Sequence, residues 1–115
     1  MSAQRRVVPA SHRAFLASLT LSWRWRGVLF VHAGVRPGVA LGEQSEDDLI
    51  WIRDEFHQSR ADHGALIVHG HSPVSEVEDH GNRIAIDTGA AYGGPVSCVV
   101  FEGGGVRLLG GRRLR

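Results

Sequence analysis

Two short apolar runs set the terms for this chain: Phe30-Val31-His32-Ala33-Gly34-Val35 and Ile67-Val68-His69-Gly70-His71-Ser72-Pro73. Each is rich in β-branched residues and ends on a histidine followed by glycine-bearing turn residues. A short run without polar alternation reads as a strand buried on both faces, the habit of parallel sheets. In α/β folds such strands deliver their last residues to the carboxyl edge of the sheet, where ligands bind. Neighbouring parallel strands would therefore present their histidines to one crevice. Imidazole suits that place, because it ligates borderline divalent metals and carries protons near neutral pH.

The rest of the chain supplies a scaffold for these two strands. Met1 to Val8 reads as a loose arm. Pro9 to Leu21 reads as a short helix with Phe15, Leu16 and Leu19 on one face. Trp23 to Arg26 alternates aromatic and basic residues, as at a strand edge or turn where cation–π packing occurs. After a turn at Arg36-Pro37-Gly38 and a loop to Gln44, one helix is expected from Ser45 to Gln58. Ser45 and Asp48 fit a capping box, Asp47 and Asp48 suit the positive end of the helix dipole, and Leu49, Ile52 and Phe56 form the apolar stripe, with Arg53 off it. Glu76 to Gly81 reads as an exposed acidic turn. Arg83 to Thr88 and Val96 to Glu102 read as strands, and Gly103-Gly104-Gly105 links the second to Val106–Leu109 in a hairpin, with a frayed tail over Arg112 to Arg115. His12, His57, His63 and His80 fall in polar stretches and are expected at the surface. Early helices and late strands fit an α/β (α+β) domain, or one half of a larger layered sandwich.

Composition narrows the function classes. A chain of 115 residues is one domain or part of one, able to bury roughly 65% of its unfolded surface. Its 43% apolar content excludes disorder, and a net charge of +1 creates no general field for nucleic acid or membrane. All 13 basic residues are arginine and lysine is absent, which reads mainly as compositional bias and secondarily as arginines that grip phosphate or carboxylate. The single Cys98 excludes an internal disulfide, fits a reducing cytoplasm, and is expected to be a buried, inert thiol. No stretch approaches the roughly 20 apolar residues of a membrane span.

The ordered set His-Ala-Gly-Val-Arg-Pro-Gly, Asp-Leu-Ile-Trp-Ile-Arg-Asp-Glu-Phe, Val-His-Gly-His-Ser-Pro-Val and Asn-Arg-Ile-Ala-Ile-Asp-Thr-Gly-Ala-Ala-Tyr-Gly-Gly resembles the carboxyl-terminal half of bacterial calcineurin-like metallophosphoesterases. The group resembled is that of the phosphoprotein phosphatases and symmetrical diadenosine tetraphosphatases. The resemblance runs from about Val8 to Leu109. It implies a partial four-layer metallophosphatase sandwich, with one mixed β-sheet flanked by helices. It also implies a divalent metal cofactor (manganese, iron or zinc) and a phosphoprotein or dinucleoside polyphosphate substrate, cleaved by a two-metal mechanism. By the same resemblance His32 and His71 ligate the second metal. Arg53, after the Leu-Ile-Trp motif, grips phosphate, Tyr92 lines the pocket, and Asp87 to Gly89 form a structural strand end beside the site.

The family's Asp-x-His, Gly-Asp-x-x-Asp-Arg and Gly-Asn-His-Glu motifs occur nowhere in the sequence. They belong to an amino-terminal half, so residues 1–115 are expected to be a single partial domain with no catalytic residue of its own and little or no activity. Two other readings stand beside this one. The chain is a non-enzymatic half-domain whose exposed sandwich face self-associates or pairs with a partner. Alternatively it is a mononuclear zinc hydrolase built on His32, His69 and His71, which on an extended strand would place His69 and His71 on one face.

Overall fold

The computed structural model describes residues 7–115, so the arm expected over Met1 to Val8 lies, apart from its last two residues, outside the described residues. Helix α1 spans Ala10–Ser18. Strands β1 (Ser22–Trp25) and β2 (Val28–Val31) form a tight hairpin, followed by helices α2 (Glu46–Trp51) and α3 (Asp54–His57). Then come β3 (Leu66–His69), β4 (Glu78–Asp79), β5 (Arg83–Ala85), β6 (Val99–Glu102) and β7 (Gly105–Leu108). The first five strands make one mixed sheet in the order β1-β2-β3-β5-β4, and β6 and β7 pair separately. β2–β3 and β3–β5 are parallel, while β1–β2 and β4–β5 are antiparallel.

Both faces of the central sheet are covered, which is why the β2 and β3 sequences are apolar throughout. On one face Leu29, Val31 and Ile67 pack with Leu49, Ile52 and Phe56 of the helical segment. On the other, Val28, Val68 and Ile84 pack with Val77 and Val106, and with Phe30, Phe101 and Leu108 at the margin. Full burial of side chains such as Phe56, Ile67 and Ile84 stabilises by about 1.5–3 kcal/mol each. Helix α1 buries no residue and leaves Phe15, Leu16 and Leu19 exposed. Arg26 lies over the Trp25 ring at 5.1 Å, the cation–π packing expected at this edge.

Five expectations need correction. The helix expected over Ser45 to Gln58 is two short helices, broken at Ile52 (ψ 145°) and Arg53 (φ −132°, ψ −103°). The physical reason is a diverted carbonyl. Leu49 O would accept from Arg53 N in a continuous helix, but it accepts from Ala33 N at 2.9 Å instead. The acidic turn at Glu76 to Gly81 contains the edge strand β4, anchored by buried Val77. The tail is tied down, not frayed: Arg115 donates to both carboxylate oxygens of Asp79 at 2.8 and 2.9 Å, and Leu114 N donates to Val106 O at 2.7 Å. Cys98 precedes β6 and is exposed, because that strand starts at Val99 and not at Val96. His57 and His63 are half-buried against the Phe56 ring, with centroids 5.8 and 5.5 Å away.

Candidate functional site

The strand register assembles the site. Val28 pairs with Leu66 and Phe30 with Val68, so continuing the parallel ladder brings His32 opposite Gly70. Gly70 N indeed donates to His32 O at 2.7 Å, locking the two strand ends together. Gly70 has no side chain where a Cβ would meet the Asp87 Cβ at 3.3 Å, so the ends of β3 and β5 also close up. The next residue, His71, turns back in the left-handed region at φ 71°, a conformation in which histidine is enriched among non-glycine residues. That turn aims its ring across the edge of the sheet at His32.

The result is a tight polar cluster. His32 Nε2 lies 3.2 Å from His71 Nδ1, and Arg53 Nε lies 3.3 Å from His71 Nε2. The helix break at Ile52-Arg53 carries Arg53 to this place. One tautomer satisfies the network: Arg53 donates to His71 Nε2, so His71 carries its proton on Nδ1 and donates to His32 Nε2. Trp51 closes one side with its ring edge-on to His71 at 5.7 Å. Desolvation holds the His71 pKa below the ordinary value of 6.5, reinforced by His32 and Arg53 and opposed by Asp87. A neutral imidazole is the form that binds a metal.

The spacing of the two histidines suits one ion. Two ring nitrogens at about 2.0–2.1 Å from a tetrahedral zinc stand roughly 3.3 Å apart. The observed 3.2 Å between His32 and His71 therefore matches adjacent corners of one coordination sphere. They fill only part of that sphere, since no group of three or more His, Cys, Asp or Glu side chains suited to a metal occurs among the described residues.

His69 does not join them. It is 2% exposed on the helix-covered face, where its Nε2 accepts from Arg83 Nη1 at 3.0 Å and its Nδ1 donates to Gly70 O at 3.2 Å. Burial lowers its pKa to about 4. The three-histidine zinc site is thus not formed, because the turn at Gly70-His71 sends the two rings to opposite sides. Tyr92 sits in a short 3-10 turn over Ala90–Tyr92, 84% exposed, and its side chain makes no hydrogen bond or ring contact with His32 or His71.

One residue, Trp51, escaped the sequence reading as part of the site, and a second, Asp87, was read only as a structural strand end beside it. Trp51 was legible as the aromatic neighbour of Arg53. Asp87 lies two residues past β5, which is parallel to β3 and so delivers to the same edge. The buried hydroxyl of Ser72, beside His71, has no hydrogen-bond partner, a polar valence left over at this edge.

No protein-family model matches the sequence, and no curated protein sequence matches it. Among solved structures, the crystal structure of a protein provisionally described as a diadenosine tetraphosphatase has the same fold, with a TM-score of 0.75 over 92% of this chain and 22% sequence identity. The match spans 57% of that protein's chain, so the present chain corresponds to little more than half of its length. The mixed five-stranded sheet with its helices therefore has the fold of part of that structure.

Proposed function

We propose that this chain supplies one half of the active site of a metal-dependent phosphoesterase. The observation that carries the reading is the pair of imidazole nitrogens 3.2 Å apart at the carboxyl edge of the sheet, with a guanidinium 3.3 Å beyond. His32 and His71 would hold one divalent ion, manganese, iron or zinc. When bound, the ion supplies a Lewis acid for a phosphoryl oxygen and acidifies a water. Arg53 is exposed at the rim and turns to a phosphoryl oxygen, a charge-assisted contact that compensates the charge gathering there. Trp51 packs its ring against His71 and helps to hold it in place. The remaining ligands come from polypeptide outside residues 7–115. Substrates of this chemistry are phosphomonoesters on proteins or dinucleoside polyphosphates, the second supported by the description of the structural neighbour.

The test is metal binding beside turnover. Equilibrium dialysis against manganese or zinc should show one ion per chain, lost in His32→Ala and in His71→Ala. Hydrolysis of p-nitrophenyl phosphate by the chain alone should be slow, metal-dependent and abolished by the same two substitutions. Wild-type protein that takes up no ion, or an ion retained in both variants, refutes the proposal.

A further inference from the structure

A second polar cluster lies on the helix-covered face of the sheet, beside the loop that follows α3. Its centre is Arg83, the first residue of β5, whose side chain is buried at 7% residue exposure. A buried guanidinium normally faces a carboxylate, since an unpaired interior charge is costly. Arg83 faces none: among the described residues it forms no ion pair. Its hydrogen bonds go to neutral groups, the His69 ring at 3.0 Å and His57 O at 3.3 Å. Its Nε has no partner, and neither has the buried Nε2 of His57 beside it. Burial lowers the Arg83 pKa, and the carboxylate of Glu78 acts only at a distance, itself engaged with His80 at 2.8 Å.

This uncompensated charge lines a cavity of about 230 Å³, walled also by His57, Ser59, Arg60, His80 and Asn82. At ~30 Å³ per water, that volume admits a small polar ion with part of its hydration shell. The wall holds two guanidiniums, two imidazoles and the amides of Gln58 and Asn82, and no carboxylate. Asn82 ties the rim in place by donating to Ser59 O and Ala61 O at 2.9 and 3.0 Å, so the loop is shaped without anything in the cavity. The cavity is distinct from the histidine pair, since none of His32, Arg53 and His71 lines it.

We infer that the Arg83 cavity binds a small tetrahedral oxyanion, phosphate or the terminal phosphoryl group of a small metabolite, with Arg83 at its inner wall and Arg60 at its rim. The bound anion neutralises the buried guanidinium and fastens the 57–64 loop to β5. The inference does not depend on the phosphoesterase reading.

The experiment is a titration of the ¹⁵N-labelled chain with inorganic phosphate in the presence of EDTA, followed by amide chemical shifts. Sodium sulfate serves as a second tetrahedral anion and sodium chloride as the ionic-strength control. Saturable shifts at residues 57–60 and 80–83, produced by phosphate and sulfate but not by chloride, are expected. Arg60→Ala, at an exposed position, should weaken binding several-fold with the fold intact. Arg83→Gln should weaken it at least tenfold, whereas Arg53→Ala should leave it unchanged. Glycerol phosphate matching inorganic phosphate assigns the site to phosphorylated metabolites, and its failure to bind assigns it to the free ion. Absence of saturable shifts, shifts confined to residues 32, 53 and 71, or equal binding by Arg60→Ala and wild type overturns the inference.

Discussion

Gly34 is the position where the packing argument is most exposed to test. A Cβ built there would lie 2.3, 2.6 and 2.7 Å from the Cδ2, Cε2 and Cγ atoms of Phe56, against about 3.5–4.0 Å for an ordinary carbon contact. Its φ of 154° also falls where L side chains are rare. Phe56 has nowhere to go, since it is wholly buried with the His69 ring 4.9 Å away on one side and the Arg83 guanidinium 5.7 Å away over its face. Overpacking costs about 1–3 kcal/mol and the backbone strain about 1–3 kcal/mol more, so Gly34→Ala should destabilise by roughly 2–6 kcal/mol. Against a total of about 5–15 kcal/mol for such a domain, urea unfolding should show a midpoint lower by roughly 1–3 M. Phe56→Leu removes Cε2 and the rigid ring, leaving a smaller side chain that can shift away from the added methyl. The double variant should therefore be more stable than the sum of the two single changes by about 1–2 kcal/mol. A Gly34→Ala midpoint equal to that of the wild type, or strict additivity in the double variant, would refute the close approach of the 32–35 segment to α3.

Other outcomes follow from the charges. His69 has a folded pKa of about 4 against an ordinary 6.5, so the unfolded chain binds its proton first and stability falls as pH drops from 6.5 towards 4. Urea unfolding in EDTA should lose about 2 kcal/mol from this residue between pH 7 and 5, and His69→Gln, which keeps an acceptor for Arg83, should flatten that slope. Asp79 is held below its ordinary 3.8 chiefly by the hydrogen bonds from Arg115, so its contribution is present above that value and disappears as pH falls through the folded pKa. Asp79→Asn should cost about 0.5–1 kcal/mol at pH 7 after solvent screening, and the gap to wild type should narrow progressively as pH falls below 3.8. Arg53→Ala should bind zinc several-fold more tightly than wild type in a dye-competition titration, because a like charge is removed, and equal or weaker binding would contradict that.

The strands were legible because their apolar runs are short, β-branched and closed by glycine. Burial on both faces leaves no alternation to confuse the reading. The convergence of His32 and His71 followed from two parallel strand ends and needed no side-chain detail. What the sequence hid is long-range. Nothing between Leu49 and Phe56 breaks helical periodicity, and no proline or glycine marks the interruption. The break exists because Ala33, sixteen residues earlier in the chain, takes the Leu49 carbonyl. The same holds for the tail, whose arginines look like a solvated run until Arg115 finds Asp79 across the sheet edge. Arg83 was read as an ordinary strand residue, and its burial depends on His57 and His69 arriving from two other elements.

The helix break has a chemical consequence at His71. With Arg53 Nε 3.3 Å from its Nε2, the ring keeps its proton on Nδ1, the nitrogen that faces His32. That nitrogen is the one an ion shared with His32 would need. Ion binding at the pair therefore requires the proton to move to Nε2, which would then oppose the Arg53 N–H donor to donor, and the guanidinium must swing away. Under the proposed function the displaced Arg53 would stay at the rim with its donors free for a phosphoryl oxygen. Coupling of this kind would make metal and arginine alternate partners of one imidazole. Its signature is tautomeric, and long-range ¹H–¹⁵N spectra of His71 should report Nδ1–H in EDTA and Nε2–H with zinc. Arg53→Ala should relax the preference in EDTA and leave the zinc-bound tautomer unchanged. A His71 ring already protonated at Nε2 without metal would mean that the arginine does not set the tautomer, and the tighter zinc binding expected of Arg53→Ala would then reduce to charge removal alone.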